Sequence, residues 1–172
     1  MKQPNIETQR LILRPFCHND AERVAVLAGE KIISDMTASI PHPYESSMAI
    51  DWINTHKSQY EQRTAVVYAI TMKDDSRIIG AVSFPQFKNG EGTIGYWLGV
   101  PFWGQGIAYE AAKGLIAHCK ANLGLKTVHA VHLTENVRSQ SVIEKLRIPL
   151  VGNETHEVRG GMCPVRVYRG PV

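Results

Sequence analysis

The chain has 172 residues, of which 44% are hydrophobic and 20% charged, and its formal net charge is +3 at pH 7. This size and composition are typical of one globular domain, so we expect a single domain over residues 1–172 rather than a disordered or repetitive chain. No apolar run approaches the roughly 20 residues of a membrane-spanning helix, residues 1–5 lack a signal-peptide core, and basic residues form no stripe, so we expect a cytoplasmic protein that binds neither membrane nor nucleic acid.

The first strand and the first helix are predicted near the N-terminus. Residues 10–14, with three consecutive apolar residues between two arginines, predict a first strand, and Pro15 ends it. Asn19 followed three residues later by Glu22 is the pattern of a capping box, and helical apolar spacing follows it. We therefore predict a first helix that ends near Gly29.

A second helix is predicted after an irregular segment. Residues 30–45 contain two prolines and are predicted to form a loop or a broken helix. Ser46 is placed to cap the helix that follows. Its predicted apolar face consists of Ala49, Trp52, Ile53, His56 and Tyr60.

Three β-rich runs come next and predict an antiparallel meander. Residues 65–72 and 77–84 are separated by a polar tetrapeptide that is typical of a hairpin. Asn89 and Gly90 then lead to a third strand over residues 93–98.

The second half of the chain alternates helices and strands. Apolar residues with helical spacing over residues 108–119 predict a third helix, which Gly124 is placed to end. A strand over 127–133, a short helix over 139–146, and a hairpin complete the chain. The hairpin strands are 151–157 and 165–169, on either side of Gly160 and Gly161. The fold class is thus mixed α/β (α+β).

Cysteines and histidines give no sign of a disulfide framework or of a metal site. Cys17, Cys119 and Cys163 are far apart and odd in number, and no pair has the spacing of a zinc motif. His129 and His132 lie on one predicted strand, where a spacing of three places them on opposite faces. We therefore expect no metal.

The turn between residues 98 and 107 carries the clearest chemical signal. Gly104 and Gly106 lie between a strand and a helix, an arrangement that points unpaired backbone N–H groups and a helix dipole at a bound phosphate. No Lys-Ser or Lys-Thr follows, as a P-loop requires, and the preceding strands form a meander rather than a dinucleotide fold. The pyrophosphate of an acyl-CoA remains, and a purely structural tight turn is the alternative.

Four stretches together resemble one known family. Residues 94–98 (Ile-Gly-Tyr-Trp-Leu) followed by 103–111 (Trp-Gly-Gln-Gly-Ile-Ala-Tyr-Glu-Ala) are similar to the acetyl-CoA signature of the GNAT N-acetyltransferase superfamily, in its RimJ/RimL-like branch. Residues 7–16 resemble the first strand of that branch, and residues 136–146 resemble its Asn-x-x-Ser helix. The resemblance implies a mostly antiparallel sheet of about seven strands and about four helices, splayed between the fourth and fifth strands.

The resemblance also implies a set of ligands for acetyl-CoA, the co-substrate. Backbone N–H groups of the glycine loop would bind the pyrophosphate, and two backbone segments would run beside the pantetheine arm. Asn136 would hold this arm, and Ser139 would lie near the sulfur. The backbone ligands are Leu98, Val100, Gly104, Gln105, Gly106, Ile107 and Ala108.

The catalytic groups are harder to place, because two residues depart from the family pattern. The tyrosine that many members use as general acid is Ile143 here, so Ser139 is the best candidate to assist the leaving thiolate; its alternative role is to cap the short helix. The usual glutamate is Thr93, which leaves Glu91, Glu154 or a water chain as the base.

The expected activity is acetyl transfer from acetyl-CoA to a primary amine by direct attack in a ternary complex. A protein N-terminal α-amine is the leading acceptor. The alternatives are a small amine, such as a polyamine or an aminoglycoside, or a non-catalytic acyl-CoA sensor. A homodimer is compatible with the resemblance.

Overall fold

A computed structural model describes residues 1–172 and contains eight strands and five helices around one sheet. The strands are β1 (Ile6–Glu7), β2 (Leu11–Arg14), β3 (Val66–Met72), β4 (Asp75–Lys88), β5 (Glu91–Leu98), β6 (Thr127–Leu133), β7 (Leu150–Val158) and β8 (Gly161–Pro171). The helices are α1 (Ala21–Ala28), α2 (Lys31–Met36), α3 (Ser46–Glu61), α4 (Ile107–Asn122) and α5 (Val137–Lys145). None of these helices has both the length and the apolar character needed to cross a membrane.

The sheet opens into a wedge between its two parallel strands. Its order is β1-β2-β3-β4-β5-β6-β8-β7, and every neighbouring pair is antiparallel except β5 and β6. These two strands pair with each other only from Glu91 to Thr93 and from Thr127 to His129. Beyond these residues β5 continues to Leu98 and β6 to Leu133 without hydrogen bonds between the two strands. Because β1 was not predicted, β5 and β6 are the fourth and fifth strands of the predicted sheet, and the predicted splay between them is confirmed.

Helices cover both faces of the sheet and bury a core on each. On one face, α4 packs through residues such as Leu115 on strand residues such as Tyr68 and Phe84, in a cluster of 25 buried residues. On the other face, α1 and α3 bury a smaller cluster of 11 residues. We call these the α4 face and the α1 face. In β6, His132 is buried on the side of Val128 and Ala130, whereas His129 lies on the opposite side, as predicted.

Both predicted helix N-caps are wrong by one residue, since Asp20 precedes α1 and Glu45 precedes α3. The Asn19–Glu22 capping box is replaced by a 3-10 turn at His18–Asp20, in which the Asp20 carboxylate accepts the Cys17 N–H at 2.9 Å. Asp20 is preferred because Arg14 pairs with its carboxylate at 2.8 Å, which compensates for its burial. Helix α3 begins at Ser46 itself, and its N-cap, Glu45, makes no side-chain hydrogen bond.

The predicted turns are confirmed, whereas two short elements were not foreseen. The Asn89–Gly90 turn has positive φ at both residues, 54° and 77°, as tight hairpins require. Gly124, with φ of 74°, follows the last turn of α4. β1 was not predicted and α2 fell within the segment expected to be loop or broken helix, because two and six residues are too few to show a periodicity.

Candidate active site

The glycine loop ends in a row of free backbone donors. Gly104 and Gly106 have φ of 74° and 73°, and Gly106 is the N-cap of the 16-residue α4. The first hydrogen bond of the helix runs from the Glu110 N–H to the Gly106 carbonyl, and the N–H groups of residues 104–109 donate to no acceptor of the protein. These donors and the positive end of α4 together form a site for an anion such as a pyrophosphate.

Arg10, at the start of β2, braces this loop. Its guanidinium donates to the Gln105 carbonyl at 2.9 Å and to Glu110 Oε2 at 2.6 Å. Glu110 Oε1 also accepts from Thr8 Oγ1 and from the Arg10 N–H, both at 2.7 Å. Burial alone would raise the pKa of Glu110, but the hydrogen bonds from Thr8 and Arg10 outweigh it, so the pKa is lowered. The loop is therefore tied to the sheet by an ionised carboxylate.

Trp103 forms the wall between the loop and the wedge. Its indole N–H donates to the Leu98 carbonyl at 2.9 Å, and its backbone N–H donates to the Val100 carbonyl at 3.2 Å. The Arg138 guanidinium from α5 lies 4.1 Å from the centre of the indole ring. The carbonyls of Leu98 and Val100 therefore already accept hydrogen bonds from Trp103. The Arg138 guanidinium also places a positive charge next to the glycine loop.

Asn136 fixes the N-terminus of α5 at the open end of the wedge. Its Oδ1 accepts the Ser139 N–H at 3.1 Å, and its Nδ2 donates to the Met36 carbonyl at the end of α2, also at 3.1 Å. Asn136 is thus the N-cap, and the alternative of Ser139 as the cap is wrong, because Ser139 is the third residue of the helix. The Asn136 amide links α5 to the segment that covers the α1 face.

Ser139 makes its side-chain hydrogen bond with a tyrosine that no sequence pattern assigned to the site, Tyr96. Ser139 Oγ lies 2.8 Å from the Tyr96 hydroxyl, which also lies 3.2 Å from the Ser139 carbonyl oxygen. Burial raises the pKa of Tyr96 to about 12, so its hydroxyl is protonated at neutral pH. Ile143 is only 1% exposed and belongs to the core of the α4 face. The polar groups at the wedge are therefore Ser139 and Tyr96.

Glu91 lies at the closed end of the wedge, away from Ser139. Its carboxylate contacts His129 Nε2 at 2.9 Å and the Arg169 guanidinium at 3.1 Å, and these two hydrogen bonds hold its pKa below the usual range. Five residues of extended strand separate it from Tyr96, a distance of about 17 Å, and it points to the opposite face. The structure does not bring Glu91 together with the serine.

Glu154 lies nearer the open end. It stands opposite Val165 in the β7–β8 ladder, and Val165 stands opposite Leu133 at the end of β6. These three side chains share the α1 face, and two strand spacings, about 10 Å, separate Glu154 from Leu133. The Glu154 carboxylate contacts His156 Nε2 at 2.7 Å. This carboxylate is therefore better placed than Glu91 to meet an acceptor that enters from the α1 face.

Comparison with known proteins agrees with this geometry. The family profile described as acetyltransferase (GNAT) domain matches residues 10–148. YoaA of Bacillus subtilis (strain 168), an uncharacterized N-acetyltransferase, is 27% identical over 146 residues, which are 83% of this chain and 81% of YoaA.

Two solved structures share the fold over almost the whole chain. The microcin C7 self-immunity acetyltransferase MccE, solved with acetyl-CoA and AMP, superposes with a TM-score of 0.86 at 21% identity, covering 96% of this chain and 94% of MccE. RimL, the ribosomal L7/L12 α-N-protein acetyltransferase, solved with coenzyme A, superposes with a TM-score of 0.89 at 18% identity and 98% coverage of both chains.

Proposed function

The chain belongs to the GNAT acetyltransferase family and is an acetyl-CoA-dependent N-acetyltransferase, and we propose that its acceptor is a protein N-terminal α-amine. The reaction is direct attack of the amine on the bound thioester in a ternary complex. The observation that carries the donor side of this proposal is the row of free N–H groups at residues 104–109, next to a wedge whose strands stop pairing after Thr93.

In the proposed complex, acetyl-CoA runs from the glycine loop into the wedge. The N–H groups from Gly104 to Ala108 bind the pyrophosphate. The pantetheine arm runs beside Leu98 and Val100, along the side of β5 that β6 leaves unpaired, much as an added strand would, with the Leu98 and Val100 carbonyls already bonded to Trp103. Asn136 keeps one amide hydrogen for this arm, since its oxygen caps α5 and its other hydrogen bonds to Met36.

Ser139 assists the departure of the thiolate. The neutral amine nitrogen attacks the thioester carbonyl carbon, the C–S bond breaks with its electron pair on sulfur, and the proton lost by the nitrogen is returned to the sulfur through solvent. A thiol is a good leaving group, so a hydroxyl that donates a hydrogen bond to the departing sulfur is sufficient. Ser139 Oγ, in the first turn of α5, is the group proposed for this role.

Glu154 is the proposed base, and the alternative is a water chain. An amine bound on the α1 face near Leu133 approaches the thioester from the side where Glu154 lies. Glu91 is the weaker candidate, because its carboxylate is occupied by His129 and Arg169 at the closed end of the wedge.

The charges around the α1 face favour an α-amine over a polyamine. A polyamine carries several positive charges and needs free carboxylates to bind it. The two candidate bases on this face, Glu91 and Glu154, both have histidine or arginine partners and are not free to bind such a cation. RimL, which shares the fold, is itself named as an α-N-protein acetyltransferase.

The acceptor is tested with a matched set of amines. Peptides with a free N-terminal Ser, Ala or Met are compared with the same peptides blocked at the N-terminus but carrying an internal lysine, and with spermidine. We expect acetyl-CoA-dependent thiol release and an acetylated product only with the free N-termini. Turnover that is faster with spermidine than with every peptide would overturn the α-amine proposal.

The role of Ser139 is tested by Ser139→Ala. We expect kcat and kcat/KM to fall together by about 10- to 100-fold, because the lost hydrogen bond exists mainly in the transition state. The Kd for acetyl-CoA should change less than twofold. Ser141→Ala, an exposed position in the same helix, is the control and should retain wild-type kcat; wild-type turnover by the Ser139 variant would remove this residue from the mechanism.

A further inference from the structure

The two walls of the wedge meet in a single pair of hydroxyl groups. Tyr96 lies on β5, three residues beyond the last paired residue, Thr93, and Ser139 lies on α5, which follows β6. The 2.8 Å separation of their oxygens is a short hydrogen bond between residues 43 positions apart in the chain. Tyr96 therefore contacts the proposed thiolate-stabilising residue directly, at the place where the strands diverge.

The hydrogen-bond geometry favours Tyr96 as the donor of this pair. Its hydroxyl has one hydrogen and two acceptors on the same residue, and Ser139 Oγ at 2.8 Å is closer than the Ser139 carbonyl oxygen at 3.2 Å. A phenol is also a stronger acid than an aliphatic alcohol, and so it is the better donor of the two. When Tyr96 donates, the hydrogen of the Ser139 hydroxyl is free for another acceptor.

We propose that Tyr96 is a positioning residue for Ser139: its phenolic O–H donates to Ser139 Oγ and directs the serine hydrogen toward the sulfur of the bound thioester. This inference rests on the role of Ser139 in the proposed function. A hydroxyl that accepts one hydrogen bond becomes a stronger donor in the next, so the pair stabilises a thiolate better than an isolated serine would. Burial keeps Tyr96 protonated, as this role requires.

A buried tyrosine on another strand, Tyr168, provides a control. Tyr168, on β8, lies 3.0 Å from His132 Nε2, and His132 Nδ1 lies 2.7 Å from the Leu133 carbonyl. The carbonyl fixes the hydrogen on Nδ1, so Tyr168 donates to Nε2. Tyr168 thus donates one hydrogen bond inside the core, as Tyr96 does, but to a partner other than Ser139.

The test is a double-mutant cycle between Tyr96→Phe and Ser139→Ala, with Tyr168→Phe as the control. Thiol release is measured at saturating acetyl-CoA with two acceptors, an N-terminal-serine peptide and hydroxylamine. Hydroxylamine is a small nucleophile that needs no recognition by the protein. The Kd for acetyl-CoA and the thermal midpoint are measured for each variant.

We expect Tyr96→Phe to lower kcat by about 10-fold with either acceptor and to leave the Kd for acetyl-CoA within twofold. In the Ser139→Ala background the same substitution should have less than a twofold effect, because the group that it positions is gone. Tyr168→Phe should keep kcat within twofold of the wild type, even if its thermal midpoint falls as much as that of Tyr96→Phe.

Three results would overturn the inference. They are wild-type kcat in Tyr96→Phe, an undiminished 10-fold effect in the Ser139→Ala background, and a weaker Kd with unchanged kcat. Failure of the peptide as acceptor while hydroxylamine is acetylated refutes the α-amine proposal alone. A wild-type rate in Ser139→Ala refutes both the role of Ser139 and that of Tyr96.

A second variant guards against misfolding of the Phe protein. Incorporation of 3-fluorotyrosine at position 96 keeps the ring and the hydrogen bond and makes the phenol a stronger donor. We expect its kcat to equal or exceed the wild-type value. A kcat as low as that of Tyr96→Phe would also overturn the inference, because it would mean that shape, rather than donation, is what matters at this position.

Discussion

Glu110→Gln should weaken acetyl-CoA binding without slowing the chemical step. The carboxylate accepts three hydrogen bonds, from Thr8 Oγ1 and from the backbone and guanidinium of Arg10, at 2.6 to 2.7 Å. The same guanidinium holds the Gln105 carbonyl at 2.9 Å. Glutamine keeps the shape of the side chain but replaces one oxygen by a donor and removes the charge, so the brace on the glycine loop is loosened.

The magnitude follows from the number and the exposure of these bonds. A hydrogen bond to a charged group contributes about 1.5–3 kcal/mol. The Arg10 side chain is 41% exposed, so solvent screens the ion pair, and glutamine still provides one acceptor. We therefore expect the binding free energy for acetyl-CoA to become less favourable by about 1–2 kcal/mol, because the loop is less ordered. This corresponds to about a 5- to 30-fold increase in Kd.

Isothermal titration with acetyl-CoA measures this change, and kcat is measured at saturating acetyl-CoA. Asp75→Asn is the control, because it also removes one carboxylate that pairs with an arginine, Arg77, but at the exposed start of β4. Its Kd should equal that of the wild type. If Glu110→Gln lowers the thermal midpoint and leaves the Kd unchanged, the Arg10–Glu110 pair stabilises the fold without ordering the loop, and the reasoning is wrong.

Three further predictions address the loop, a buried histidine and the base. Gly106→Val should raise the Kd for acetyl-CoA at least 10-fold with an unchanged circular dichroism spectrum, because φ of 73° disfavours a β-branched residue; an unchanged Kd would contradict the loop assignment. His56 is 7% exposed with no hydrogen-bond partner, and burial lowers its pKa to about 4. Since the pKa of His56 in the folded protein lies below the ordinary 6.5, the free energy of unfolding falls by up to about 3 kcal/mol as pH falls from 6.5 to 4. In urea unfolding, the free energy of unfolding of His56→Phe should depend less on pH over this range. An equal pH dependence in both proteins would refute the assignment of this loss to His56. Glu154→Gln should lower kcat about 10-fold, whereas Glu91→Gln should leave it within twofold; the reverse result would exchange their roles.

The glycine turns explain why much of the fold was predictable. Gly90, Gly106 and Gly124 all have positive φ, which few other residues adopt, so each marks the end or the start of an element in the sequence itself. The strands and helices between such marks were long enough to show their periodicity. The cap at Asn19 was misplaced because no such mark stands there, and the pairing of Arg14 with Asp20 decides which residue accepts the Cys17 N–H of the turn.

The polar pair at the wedge could not be predicted in this way. Tyr96 lies in an apolar strand, and its partner Ser139 follows after a helix and a strand, so no local spacing connects them. A polar aromatic residue in the strand that borders the glycine loop was the only available signal. Similarly, alternation correctly placed Glu91 on the Thr93 face, but it could not show that this face lies opposite to Tyr96, because sheet order and helix placement determine where Ser139 lies.

In the proposed complex, binding of the donor and the chemical step depend on different parts of the framework. Arg10 ties the glycine loop to β2, whereas Tyr96 and Asn136 fix the position of Ser139 from β5 and from the cap of α5. These two sets share no hydrogen bond, so substitutions in one should change Kd and substitutions in the other should change kcat, and their effects on kcat/KM should add. The Glu110→Gln/Tyr96→Phe double variant tests this separation. A fold-change in its kcat/KM that differs from the product of the two single fold-changes by more than twofold would show that the loop and the hydroxyl pair are coupled.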